Sequence, residues 1–145
     1  QGFYVTNNVK QAEEWASRKS RELKLSGTSE RIEPVVIYFL LDSKKLEKLN
    51  GMEFSDANLS WGQFVLDCRL AGMEEQHFHQ FDYVFGPLAD GKLIPLLKRF
   101  KSGTIDNNTF IEGIVPISKV HHQLALNSNE ACNCLELLEV KEIGC

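Results

Sequence analysis

Residues 1–16, QGFYVTNNVKQAEEWA, hold the pattern of a short strand, a turn and a helix. The apolar strand ends at Asn7 and Asn8, whose side chains are typical caps for the first turn of a helix. Trp15 is the aromatic residue of the helix that follows. A strand that leads directly into a helix can present Tyr4 and Trp15 to one cleft.

Strand and helix patterns are interspersed along the rest of the chain. Residues 35–41, VVIYFLL, are apolar on both alternations, which predicts a central strand buried on both faces. The helical spacing of Trp61, Phe64 and Cys68 predicts a helix that is capped by Ser60, ends near residue 70 and is followed by a surface loop. Further strands are predicted at 52–54, 82–85, 120–126 and 137–140, and further helices at 8–25, 44–49, 93–100, 106–114 and 130–135. This order predicts one α+β domain.

The composition is that of one soluble globular domain. The chain has 145 residues, of which 43% are hydrophobic and 25% are charged, as is ordinary for a domain with a single core. The net charge of −4 disfavours nucleic acid as a partner, because binding a phosphate backbone requires a basic surface. No apolar run approaches the roughly 20 residues that cross a bilayer, so a membrane partner is not expected.

Three blocks of the chain resemble the ADP-ribosyltransferase superfamily. Residues 2–6, GFYVT, resemble its Gly-x-Tyr-[Phe/Leu]-[Ala/Thr] element. Residues 81–90, FDYVFGPLAD, and residues 122–128, HQLALNS, resemble the later blocks of a domain family of unknown function in the same clan, common in bacteria and fungi. The resemblance implies an α+β single domain with a split, two-sheet NAD-binding core. That domain would span residues 1–145 and lack its first strand.

The resemblance also implies a site for NAD as the substrate. Tyr4 and Trp15 would sandwich the nicotinamide ring, and Gly2 and Thr6 would contribute to binding from the same block. Gln123 would bond the nicotinamide ribose and serve catalysis together with Tyr4. Each of these assignments rests on the position of the residue within the matching block.

His121 and Gln123 are assigned through the third block. Alternation along the strand places Gln123 and Ala125 on the face opposite the neighbouring leucines, where an amide can reach a nucleotide or simply face solvent. In the family's substrate-recognition turn, the offset of His121 from Gln123 belongs to a residue that helps to choose the acceptor. A solvated loop histidine is the alternative interpretation of His121.

Two functions follow from these residues. The first is an NAD-dependent mono-ADP-ribosyltransferase or NAD glycohydrolase, a glycosyl transfer to a protein or another acceptor. The family usually has glutamate where this chain has Gln123, and an amide brings no negative charge to a developing cation. The second is therefore a catalytically degenerate scaffold that binds a nucleotide or a protein. Tyr4 as a core residue and Trp15 as part of an ordinary apolar stripe are the structural alternatives.

The cysteines and the remaining histidines predict no metal site. One residue separates Cys132 from Cys134, whereas zinc ligands are usually separated by two to four. His77 and His79 alternate on one segment without a third ligand nearby in the sequence. Cys145 would reach Cys132 or Cys134 in a secreted protein, but the pattern favours neither the cytoplasm nor secretion.

Overall fold

Local signals account for most element boundaries in the computed structural model, which describes residues 2–76, 78–117 and 119–144. The strands are β1 (Phe3–Val5), β2 (Val35–Leu41), β3 (Gly51–Glu53), β4 (Tyr83–Pro87), β5 (His122–Leu126) and β6 (Leu135–Glu142). The helices are α1 (Val9–Leu25), α2 (Ser43–Glu47), α3 (Leu59–Met73), α4 (Leu93–Lys101), α5 (Asn107–Ile114) and α6 (Asn129–Cys132). The predicted α+β class is confirmed, with the described strands arranged in two sheets. The predictions for His77 and Cys145 fall outside the described residues.

The larger sheet has four strands in the order β1-β5-β4-β3, with β3 at its edge. β5 is antiparallel to β1 and β4, whereas β3 and β4 are parallel. Asp82, just before β4, is hydrogen-bonded to residues at the ends of the two strands that flank β4, namely β3 and β5. Its carbonyl oxygen accepts from the Asn127 N–H at 2.7 Å, and its carboxylate accepts from the Asn50 N–H at 3.0 Å.

The two faces of this sheet are covered unequally. From one face, Leu124, Leu126 and Tyr83 point into a buried cluster. On the other face, Phe54 packs over Gly86 and against a second cluster from α3, α4 and α5. The members of this second cluster are Trp61, Leu66, Leu93, Leu97, Phe110, Ile111 and Ile114. It covers the β3–β4 side and leaves the β1–β5 side of that face partly exposed.

The smaller sheet corrects the prediction for residues 35–41. Among the described strands, β2 pairs with β6 alone, in an antiparallel two-stranded sheet. Val36 is buried, and α1 packs against β2, but Ile37 and Leu40 are exposed. The strand is real and the expectation of burial on both faces is wrong. An apolar alternation shows what a strand could bury, whereas burial itself requires a covering layer on each face.

The boundaries of α3 also differ from the prediction. Asn58, rather than Ser60, caps the helix, since its Oδ1 accepts from the Trp61 N–H at 2.9 Å. The helix continues to Met73, so the first residues of the predicted loop 71–80 are helical. Serine and asparagine are both good caps, so residue type alone does not decide which of them begins the helix. The backbone conformation before the first turn decides it.

Candidate functional site

Tyr4 and Gln123 lie on the same face of the four-stranded sheet, on neighbouring strands. Tyr4 is opposite Ala125 in the β1–β5 register, and residues opposite each other share a face. Gln123 is two positions from Ala125, so it projects on that face as well. The alternation predicted for β5 is confirmed, because Leu124 and Leu126 are buried on the other side.

The polar groups of this pair are accessible to a ligand. Tyr4 is 59% exposed, so its interpretation as a core residue is wrong. Within the described part of the chain, neither the Tyr4 hydroxyl nor the Gln123 side-chain amide has a hydrogen-bond partner. The small side chain of Ala125 lies on the same face, and we call Tyr4, Ala125 and Gln123 the sheet patch. A flat ring can lie over Ala125 beside the phenol.

Gly2 has a packing reason to be glycine. A Cβ at this position would overlap the Asn127 side chain and lie 3.3 Å from the Leu126 carbonyl oxygen. The glycine therefore lets the start of β1 approach the end of β5 closely. This contact keeps Tyr4 in register with β5. The role of Gly2 in the sheet patch is therefore to position Tyr4.

Thr6 and His121 belong to the network that caps α1. The Thr6 hydroxyl accepts from the Asn8 N–H at 3.1 Å and donates to Gln11 Oε1 at 3.0 Å. Asn8 Oδ1 accepts from the Gln11 N–H at 3.1 Å, which fixes the orientation of the Asn8 amide. Its Nδ2 then donates to His121 Nδ1 at 3.1 Å. His121 is thereby held beside the end of β1, with its Nε2 as the ring nitrogen left for a ligand.

Trp15 lies exposed on the surface of α1. The ring is 54% exposed, so the core interpretation is wrong. The Arg18 guanidinium lies 4.3 Å from the ring centroid and the Lys19 ammonium 5.2 Å from it. Among the described residues, no ring contact joins Trp15 to Tyr4. Its role in holding nicotinamide remains a prediction.

Sequence reasoning missed a second group of polar side chains, on α3 and α5. Gln63 Nε2 donates to Asp67 Oδ1 at 2.9 Å, and Asn107 Nδ2 donates to Gln63 Oε1 at 2.8 Å. The spacing of Gln63 and Asp67 places them on one face of a helix and is visible in the sequence. The contact with Asn107 depends on how α3 and α5 pack together, and no local sequence pattern predicts it.

Cys68 and His79 have ordinary packing roles. Burial raises the pKa of the Cys68 thiol to about 11, so the thiol is protonated at neutral pH and is a poor nucleophile. The His79 ring packs against the rings of both Phe64 and Phe81. In the part of the chain that the structure describes, no group of three or more metal-ligating side chains could hold an ion. None of the described helices is long and apolar enough to span a bilayer.

The fold and the sheet patch together define a small α+β domain with one partly open sheet face. The chain belongs to the family described as Protein of unknown function (DUF3990), whose model matches residues 1–137. No curated protein and no solved structure matched the chain.

Proposed function

We propose that the chain is an NAD-binding domain of the ADP-ribosyltransferase type, which cleaves the bond between nicotinamide and ribose at the sheet patch. The observation that carries the proposal is the common face of Tyr4 and Gln123. Tyr4 and Gln123 are separated in sequence by most of the chain, yet they lie on the adjacent strands β1 and β5. The turn into α1 follows β1 directly and is capped by Asn8.

The sheet patch provides the contacts that this reaction requires. The exposed Tyr4 ring can stack on the nicotinamide ring, which is flat and positively charged in NAD. The unpartnered Gln123 amide can accept a hydrogen bond from a ribose hydroxyl or donate one to it. Both contacts fix the orientation of the scissile bond, and orientation alone can lower a barrier considerably.

The reaction balances without a further reagent. The bond between ribose C1′ and the nicotinamide nitrogen breaks, and nicotinamide leaves as a neutral molecule with the bonding electrons. An oxygen or nitrogen of water or of the acceptor then forms the new bond to C1′ and loses its proton to solvent. Gln123 contributes no negative charge to the cation that develops at C1′, so slow chemistry is expected.

A binding module without chemistry is the second candidate. The neutral amide at position 123 favours it, because preorganised charge is usually a large catalytic contribution. The same patch would then hold a nucleotide without breaking it. The two candidates differ in one measurable quantity, the release of nicotinamide.

The test is the substitution Gln123→Glu, followed by nicotinamide release from NAD. A carboxylate on the sheet patch would lie beside the developing cation, and we expect the hydrolysis rate to rise by about 10- to 1000-fold, the range of one well-placed electrostatic group. Gln80→Glu makes the same chemical change at an exposed position outside the patch and should leave the rate unchanged. Tyr4→Ala should weaken the stabilisation that NAD gives to thermal unfolding.

The outcomes separate the two candidates. If Gln123→Glu folds normally and does not change the rate, position 123 is not beside the reacting bond and the enzyme proposal fails. If NAD stabilises the protein in a Tyr4-dependent manner while neither form releases nicotinamide, the binding module is correct. An absence of any NAD binding would contradict both.

A further inference from the structure

A separate pocket lies between β3, α3 and α5, with a volume of about 500 Å³. This volume is within the range of sites for small organic molecules, roughly 300–1,000 Å³. Its described lining consists of Met52, Phe54, Leu59, Ser60, Gln63, Phe64, Asp67, Phe78, Asn107 and Asn108. None of the three residues of the sheet patch is among them.

One wall of the pocket is made of phenyl rings. The Phe64 ring centroid lies 5.2 Å from that of Phe54 and 5.8 Å from that of Phe78, with the rings inclined to each other. Phe78 is about half exposed although it is fully apolar. Such a wall buries the flat apolar body of a ligand, and its ring faces also attract cations.

The polar part of the lining, on α3 and α5, carries a directed chain of hydrogen bonds that ends on a carboxylate. The Asn107 amide donates to the Gln63 carbonyl, and the Gln63 amide donates to Asp67 Oδ1. Every donor in the chain therefore points towards Asp67. Among the described residues, Asp67 Oδ2 accepts no hydrogen bond, so the carboxylate is held in place with one oxygen free for a ligand.

The charge of the lining indicates the class of ligand that the pocket would take. Asp67 is the one charged side chain in the described lining, and no lysine or arginine there neutralises it. We propose that this pocket binds a small organic cation, an amine or amidine carried on a flat apolar body. The body would pack on Phe64 and Phe54, and the cationic N–H groups would donate to Asp67 Oδ2. This inference is independent of the reaction proposed for the sheet patch.

The test uses benzamidine and its neutral analogue benzamide as probes, with binding followed by isothermal titration of the unmodified protein. We expect benzamidine to bind saturably and at least about tenfold more tightly than benzamide, because a charged hydrogen bond is stronger than a neutral one. Equal affinities, or no saturable binding of benzamidine, would overturn the proposal. This comparison requires no substitution, so it stands whatever the stability of the variants.

Variants then locate the site. Asp67→Asn should reduce benzamidine affinity by at least about tenfold and leave benzamide binding unchanged. Glu74→Gln removes the same charge at the exposed end of α3, outside the pocket, and should bind benzamidine as the unmodified protein does. A folded Asp67→Asn variant with unchanged affinity, or an equal loss in both variants, would show that the cation does not bind at Asp67.

Discussion

At the scale of single residues, the two tryptophans are both helical but differ strongly in burial. Trp15 and Trp61 both lie in helices, α1 and α3 respectively. Trp61 is 2% exposed, and its Nε1–H donates to the Pro87 carbonyl oxygen at 3.0 Å. Trp15 is half exposed beneath Arg18. The difference lies in what the rest of the chain packs against each ring.

We therefore expect opposite effects on stability from the two truncations. Trp61→Ala should lower the free energy of unfolding by about 3–5 kcal/mol, as for other buried aromatic residues. Trp15→Ala should cost about 1 kcal/mol or less, the scale of an exposed cation–π contact. Urea unfolding followed by far-UV circular dichroism measures both. Similar losses in the two variants would show that the Trp15 ring is buried in solution.

At the scale of elements, the start of α3 is set by its cap. Asn58 accepts a hydrogen bond from the Trp61 N–H, so the cap and the most buried aromatic side chain of the helix are connected directly. Ser60, which the sequence also offered as a cap, lies inside the first turn. Capping chemistry is local, but two good capping residues two positions apart leave the choice to the packing of the turn.

The cap can be tested by comparing two alanine substitutions. Asn58→Ala should lower the free energy of unfolding by about 1 kcal/mol, the usual cost of losing a side-chain cap. Ser60→Ala should change it by a few tenths of a kcal/mol at most, since alanine is a good helix former. Chemical denaturation of both variants gives the difference. A larger loss for Ser60→Ala would place the start of the helix at Ser60.

At the scale of the whole molecule, the smaller sheet is covered on one side. Ile37 and Val140 are opposite each other in the β2–β6 register, and they are 47% and 56% exposed. Val36 points to the other side and is buried. The four-stranded sheet is also covered unequally, and its partly open region holds the sheet patch. The smaller sheet thus has one available face, and the larger sheet has one face that is open only on its β1–β5 side.

Matched valine truncations measure this asymmetry. Val36→Ala should lower the free energy of unfolding by about 1.5–2 kcal/mol, because it removes two buried carbon groups at about 0.8 kcal/mol each. Val140→Ala should cost well under 1 kcal/mol, since half of that side chain already contacts water. Thermal unfolding at several protein concentrations gives both values. A large, concentration-dependent loss for Val140→Ala would mean that a second copy covers this face.

Sequence reasoning was most successful where structure depends on near neighbours. The strand before Asn8, the helix after it and the opposite faces of Gln123 and Leu124 follow from capping and alternation, which act within a few residues. The exposure of Ile37 and Trp15, and the contact of Asn107 with Gln63, required the folded chain. Burial and side-chain contacts between distant segments depend on which surfaces the other helices and strands present. A local sequence pattern does not contain this information.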